Sequence, residues 1–310
     1  METYKKEYAD YRKWGKAYYH LSSDGWQDGL LFHTPGQYAW FVMQIAIASL
    51  LFPVVIYDYS IMPNHFHILL SGTGSSCVKL FIYLKRKLSR RLRADGYPPP
   101  PQDYCFKLTR VESIEQLKSL YVYIDRNVLE KGISLPVTYP WGCAYSFYSI
   151  LVNQLSGKRA DEMSRRELTR LTNSTVTIPS HWLFHPALGL LPSSFVNFNK
   201  FYELFPSPKE YQTKLVKDYE AYALLAKEQG DPLNMTADEI RELVARVATK
   251  TYSGKDLRQL SHDEKGKLCV VLNTNYGLEP DSIASALILP SHVVKQFLRS
   301  KDYGKSSFIP

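Results

Sequence analysis

The chain lacks the cysteine spacing that a zinc ribbon or a disulfide framework needs. Its four cysteines, Cys77, Cys105, Cys143 and Cys269, stand far apart, and no Cys-x-x-Cys pair occurs. Isolated thiols in a chain this long imply reduced cysteines and a cytoplasmic protein. Long apolar runs are scarce too. Residues 40–57 approach bilayer-spanning length, but Gln44 and Ser49 interrupt them and Pro53 breaks them. They read as a buried helix to Leu51 and then a β-branched core strand, so no membrane span is expected. The first seven residues, Met1-Glu-Thr-Tyr-Lys-Lys-Glu7, are too charged for a signal peptide. Internal repeats and strong low-complexity tracts are missing. No acidic residue occurs between Lys79 and Arg93.

What is present suits a folded, basic protein. A hydrophobic content of 45% over 310 residues is enough for a packed chain with room for two domains. The formal charge of +8 favours a polyanionic partner.

The first half alternates strand and helix patterns. Residues 16–22 read as a strand and 37–51 as a helix. Residues 54–61 and 65–71 read as strands joined by a Pro63-Asn64 turn. Residues 78–92 read as a basic helix, 104–109 as a strand and 114–130 as a helix closed by Gly132. The order β-α-β-β-α-β is that of a ferredoxin-like α+β domain. Residues 151–235 read as an irregular helical extension, with helices at 164–172 and 209–229. His181 and His185 lie between these helices and read as packing or surface groups, with DNA contacts as the alternative.

Residues 236–310 read as a separate helical module. Thr236-Ala-Asp-Glu239 and Ser261-His-Asp-Glu264 fit the capping-box pattern. Residues 281–287, the turn Ile288-Leu-Pro290 and residues 291–300 make a helix-turn-helix pattern, with Ile288 where glycine is usual. Ile283, Ala284, Val294 and Leu298 would pack between the two helices. His292, Lys295, Gln296 and Arg299 would face outward, to DNA bases or phosphates. The alternative is a protein-contact module.

Two segments carry candidate chemistry. His65 and His67 lie two apart in a strand, so both imidazoles share one face and make half of a metal site. Tyr123 and Asn127 are four apart on one face of a helix, which pairs a nucleophile with an oxygen ligand. Tyr121 is the rival nucleophile, but a helix turns it to another face. Lys79, Lys85, Arg86, Lys87, Arg90, Arg91 and Arg93 line one side of the basic helix. Val78, Phe81, Leu84, Leu88 and Leu92 form its apolar stripe. That cationic side is a candidate phosphate-binding surface.

Three ordered blocks then resemble one family. Met62-Pro-Asn-His-Phe-His-Ile-Leu-Leu70 resembles the His-hydrophobic-His motif of single-tyrosine HUH transposases. Tyr123-Ile-Asp-Arg-Asn127 resembles that family's Tyr-Ile-His-Leu-Asn-Pro block. Tyr139-Pro-Trp-Gly-Cys-Ala-Tyr145 resembles its Tyr-Pro-Trp-Ser-Ser-Tyr stretch. The subgroup it resembles most is the REP-associated tyrosine transposases, over residues 1–150. Asp125 departs from the usual His, Val128 from Pro, and Gly142 and Cys143 from two serines. The resemblance implies a catalytic domain that cuts and rejoins single-stranded or hairpin DNA at a repetitive palindromic element, as a nucleoid-associated protein. It implies Tyr123 as nucleophile, forming a 5′-phosphotyrosine intermediate. His65, His67 and Asn127 would be the ligands of a divalent metal, Mg²⁺ or Mn²⁺. A monomer is expected. The alternative is a dimer in which one subunit's tyrosine helix enters the other's site. The rival function is a non-catalytic, domesticated DNA-binding regulator that keeps the HUH fold. An HUH replication or relaxase nuclease would carry three motif histidines, and the motif here has two.

Overall fold

The computed structural model describes residues 8–26, 29–130, 132–147, 157–217, 219–230, 233, 235–300 and 303. The chain forms two compact units, 1–211 and 212–310. The division falls inside the stretch 151–235 that the sequence sets apart.

The first unit is built on a four-stranded antiparallel sheet. In chain order its elements are β1 (Ala17–Ser23), α1 (Pro35–Leu51), β2 (Val55–Ile61), β3 (Phe66–Gly72), α2 (Gly74–Ala94), β4 (Phe106–Arg110) and α3 (Ile114–Glu130). The sheet order is β2-β3-β1-β4, the ferredoxin-like arrangement. Local chemistry starts both helices of one layer. Thr34 accepts the Gln37 N–H ahead of Pro35, and Thr73 accepts the Ser76 N–H. Gln44 is the polar residue inside the apolar run of α1, and it is satisfied. Its amide donates to the Thr172 carbonyl at 3.0 Å, and its oxygen accepts from the Tyr83 hydroxyl at 3.0 Å. No helix among the described residues is long and apolar enough to cross a membrane.

The sheet separates two layers. Phe66 points to the side covered by α1 and α2, with ring centroids 5.0 Å from Phe41 and 6.4 Å from Phe81. His67 points to the other side, covered by α3. The third sequence block closes the β2 edge. Ile61 N–H donates to the Trp141 carbonyl, Cys143 N–H donates to the Tyr59 carbonyl, and the Tyr139 hydroxyl donates to the Ile61 carbonyl. An otherwise open strand edge is thereby paired.

Beyond residue 157 the first unit differs from the helical extension that the sequence suggests. A small antiparallel sheet appears, made of β5 (Lys158–Arg159), β6 (Leu183–His185) and β7 (Gly189–Leu190). Strands of two or three residues are too short to leave an alternating pattern. The helices α4 (Arg165–Thr172) and α5 (Asn199–Leu204) accompany it, and α6 (Pro208–Lys217) runs across the unit boundary. His181 and His185 are bound locally. His181 Nε2 lies 3.2 Å from the Ser194 carbonyl, and His185 Nδ1 accepts the Ala187 and Leu188 N–H groups.

The second unit is helical, with α7 (Tyr219–Gln229), α8 (Ala237–Thr251), α9 (His262–Tyr276), α10 (Pro280–Leu287) and α11 (Ser291–Arg299). The capping boxes at Thr236 and Ser261 form with Glu239 and Glu264. Leu243, Val247, Leu268, Leu272, Ile283 and Val294 are among the residues that build its apolar core.

Candidate functional site

The site grows out of strand register. His67 on β3 faces Ser22 on β1 and Ser60 on β2, so all three share the α3 side of the sheet. His65 immediately precedes β3 and, two residues from His67, points the same way. The two rings meet edge-on, with centroids 5.1 Å apart and planes at 83°. Helix α3 brings Tyr123 over them, and its ring is T-shaped to His67 at 5.7 Å. One turn further along, the Asn127 amide donates to the Tyr123 carbonyl at 2.8 Å. That bond fixes the amide, and its Oδ1 is buried with no hydrogen-bond partner. His65, His67, Tyr123 and Asn127 are all buried, Tyr123 at 0% exposure.

A third histidine belongs to the cluster, and sequence reading missed it. His20 of β1 sits diagonally from His67 across the strand pair, one side-chain step from the Ser22–His67 register pair. Its Nε2 lies 3.0 Å from His67 Nδ1, and its ring is T-shaped to Tyr123 at 5.8 Å. The period-2 pattern of β1 puts His20 and Ser22 on one face. Which distant strand they meet is not written in that pattern.

The donor set suits a small divalent cation. The Asn64 amide oxygen can only accept, so the 2.7 Å contact with His65 Nδ1 places the proton on that nitrogen. That tautomer puts the lone pair of His65 on Nε2. Two imidazoles and an amide oxygen would leave open positions, as Mg²⁺ or Mn²⁺ chemistry requires. No group of three His, Cys, Asp or Glu side chains among the described residues is arranged to hold a metal ion.

The other face of α3 holds a different cluster. Asp125 points away from Tyr123 and accepts the Tyr211 hydroxyl at 2.6 Å. Burial pushes its carboxyl up to about 8. Asp58 of β2 is fully buried nearby. Burial first, and then the Asp125 charge, hold its carboxyl well above the usual range. The Cys143 thiol, raised chiefly by burial, hydrogen-bonds to Asp58. Tyr121, the rival nucleophile, packs among Phe147, Phe201 and Phe205 and belongs to the core.

The cationic side of α2 lies across the sheet from Tyr123. Three of its seven cations are tied locally. Lys85 donates to the Gln102 and Tyr104 carbonyls, Lys87 to the Asn173 carbonyl, and Arg91 pairs with Asp95 at 2.7 Å. Lys79, Arg86, Arg90 and Arg93 are exposed and have no ion pair among the described residues. A groove of about 390 Å³ between Phe52 and Tyr83 is lined by Lys79, Arg86, Lys87 and Arg90. In the second unit His292, Lys295, Gln296 and Arg299 are all exposed on α11. Lys295 is paired with Asp281 at 3.2 Å, and Asp281 also takes the Ser291 hydroxyl.

No family model and no curated protein matches the chain. Among solved structures it is similar to the REP-associated tyrosine transposase bound to a REP hairpin. The identity is 16% and the TM-score 0.36, over 44% of this chain and 81% of that one.

Proposed function

We propose that the first unit cuts and rejoins single-stranded or hairpin DNA through Tyr123. The observation that carries this reading is the meeting of Tyr123 with His67, with His65 beside His67 and Asn127 one helical turn from Tyr123. A free tyrosine has a pKa of about 10, so the phenol must lose its proton as it attacks. His65, His67 and Asn127 would hold Mg²⁺ or Mn²⁺, which when bound polarises the phosphoryl oxygens and favours that loss. Tyr123 Oη forms the bond to phosphorus. The 3′ oxygen leaves and takes up a proton, giving a 5′-phosphotyrosine and a free 3′-OH. The bond energy stays in the covalent link, so the reverse attack rejoins the strand without ATP. Lys79, Arg86, Arg90 and Arg93 would hold DNA phosphates. His292, Lys295, Gln296 and Arg299 would add duplex contacts from the second unit. The protein would act as a monomer at the nucleoid.

The test is a hairpin oligonucleotide incubated with Mn²⁺ and run on a denaturing gel. Tyr123→Phe abolishes the covalent adduct, while Tyr121→Phe keeps it. An adduct that follows Tyr121, or that survives Tyr123→Phe, overturns the assignment.

A second reading has its own observation. Tyr123 is fully buried, and the neighbouring position 125 carries a carboxyl. In a non-catalytic DNA-binding regulator the His–Tyr cluster would be core packing. That reading requires wild-type protein to bind the hairpin and form no adduct at any metal concentration.

A further inference from the structure

We propose that His20 is a positioning residue that sets the tautomer of His67 for cation binding. The proposal rests on the metal reading above and goes beyond it by assigning the residue that makes His67 a ligand. A neutral imidazole has one donor nitrogen and one acceptor nitrogen, and the bond made by one decides the role of the other. His20 Nε2 and His67 Nδ1 are 3.0 Å apart and both rings are buried. When His20 Nε2 accepts, His67 carries its proton on Nδ1, and its Nε2 lone pair becomes the ligand. His65 is set the same way by a different partner, because its Nδ1–H donates to the Asn64 oxygen. Each of the two histidines thus has its Nδ1 held by a neighbour.

The geometry separates His20 from the ligands. Its Nε2 is turned to the ring nitrogen of His67, and the two rings meet edge to edge with planes 20° apart and centroids 5.1 Å apart. The three imidazoles do not form a three-ligand metal group. His20 therefore acts through His67, as a partner that orients a ligand and raises its basicity.

The test uses full-length, DNA-free protein and Mn²⁺ alone, followed by the electron paramagnetic resonance signal of free Mn²⁺. His20→Leu removes the acceptor and is expected to weaken Mn²⁺ binding about 10- to 100-fold, the usual effect of losing such a partner. His20→Gln keeps an acceptor oxygen and is expected to stay within about threefold of wild type. Nitrogen-15 NMR of wild type without metal is expected to find the proton of His67 on Nδ1. In His20→Leu it is expected on Nε2. Circular dichroism and thermal unfolding check that each variant is folded. If His20→Leu does not fold, the wild-type tautomer and the His20→Gln affinity decide the question. The proposal is overturned if His67 carries its proton on Nε2 in wild type. It is also overturned if folded His20→Leu binds Mn²⁺ like wild type. Mn²⁺ binding that survives His67→Ala overturns the metal site itself, a different failure.

Discussion

The two units bury different chemistry. Every buried polar or charged side chain among the described residues lies between His20 and Ser194, in the first unit. The second unit fills its core with Leu, Val, Ile, Ala and Phe, together with Cys269 and Tyr276. Charge divides the same way. Residues 1–211 hold 24 basic and 17 acidic residues, and residues 212–310 hold 14 and 13. A buried polar group costs free energy unless it is paired, so the core of the first unit depends on its hydrogen bonds where that of the second depends on apolar packing. The polar core lies along α3, where Tyr123 and Asn127 look to one side and Asp125 to the other. The first unit therefore carries both the buried polar groups and the excess of positive charge.

The largest expected effect lies in that polar core. Asp125 is held neutral by burial, with its carboxyl raised to about 8 against about 3.9 when unfolded. The folded state therefore binds the extra proton between these values. The stabilising contribution is complete below about pH 4 and is lost as pH rises through about 8. Asp125→Asn keeps an acceptor for the Tyr211 hydroxyl and cannot ionise. It is expected to flatten the pH dependence of first-unit stability and to gain as much as about 5 kcal/mol at the alkaline end. Urea unfolding from pH 4 to 9 measures this. An unchanged slope in the variant would assign the pH dependence elsewhere, with Asp58 the next group to replace.

How far this core was legible depended on the range of each interaction. The sharing of a face by His65 and His67 follows from the two-residue period of a strand, and that of Tyr123 and Asn127 from the helical turn. Both are local, and so was the β-α-β-β-α-β order. His20 bonds a residue 47 positions away, and Asp125 bonds Tyr211 across 86 positions. Only the assembled sheet and the packing around α3 bring those partners together. The cationic face of α2 was plain in the spacing of Lys79 to Arg93. Its position behind the sheet follows from the packing of Phe66 on Phe81.

The charge contrast yields the next effect. Replacing Lys79, Arg86, Arg90 and Arg93 with Gln is expected to cost well over tenfold in DNA affinity at low salt. The slope of log affinity on log salt should become shallower by about 0.9 for each phosphate that is no longer neutralised. Lys295→Gln with Arg299→Gln should cost about threefold or less, because Lys295 already pairs with Asp281 and only Arg299 adds a second charge. Fluorescence anisotropy with a labelled hairpin across a salt series compares the two sets. A larger loss from the α11 pair would reverse the comparison and make the second unit the main DNA-binding element.

The smallest effect concerns a glycine-type position inside the second unit. Helix α9 ends at Gly277 in the left-handed region, at φ 69. Helix α10 ends the same way at Ile288, at φ 53 and ψ 50, with Leu289 N–H donating to the Ala284 carbonyl at 2.9 Å. Ile288 is 87% exposed, so its side chain adds little packing in return for a conformation that a β-branched residue rarely adopts. The left-handed conformation costs a residue with a Cβ about 1–2 kcal/mol. Glycine avoids that cost but loses about 0.5–1 kcal/mol through the greater freedom of its unfolded chain. The balance predicts that Ile288→Gly stabilises the α10–α11 pair by about 0.5–1 kcal/mol, visible as slower amide hydrogen exchange in those helices of the full-length chain. A helix pair that exchanges faster would mean that the Ile288 side chain stabilises the turn by more than the strain costs. If the variant is more stable yet binds hairpin DNA less well, the turn itself touches the DNA, and the second unit has a role in recognition that its near-neutral charge does not announce.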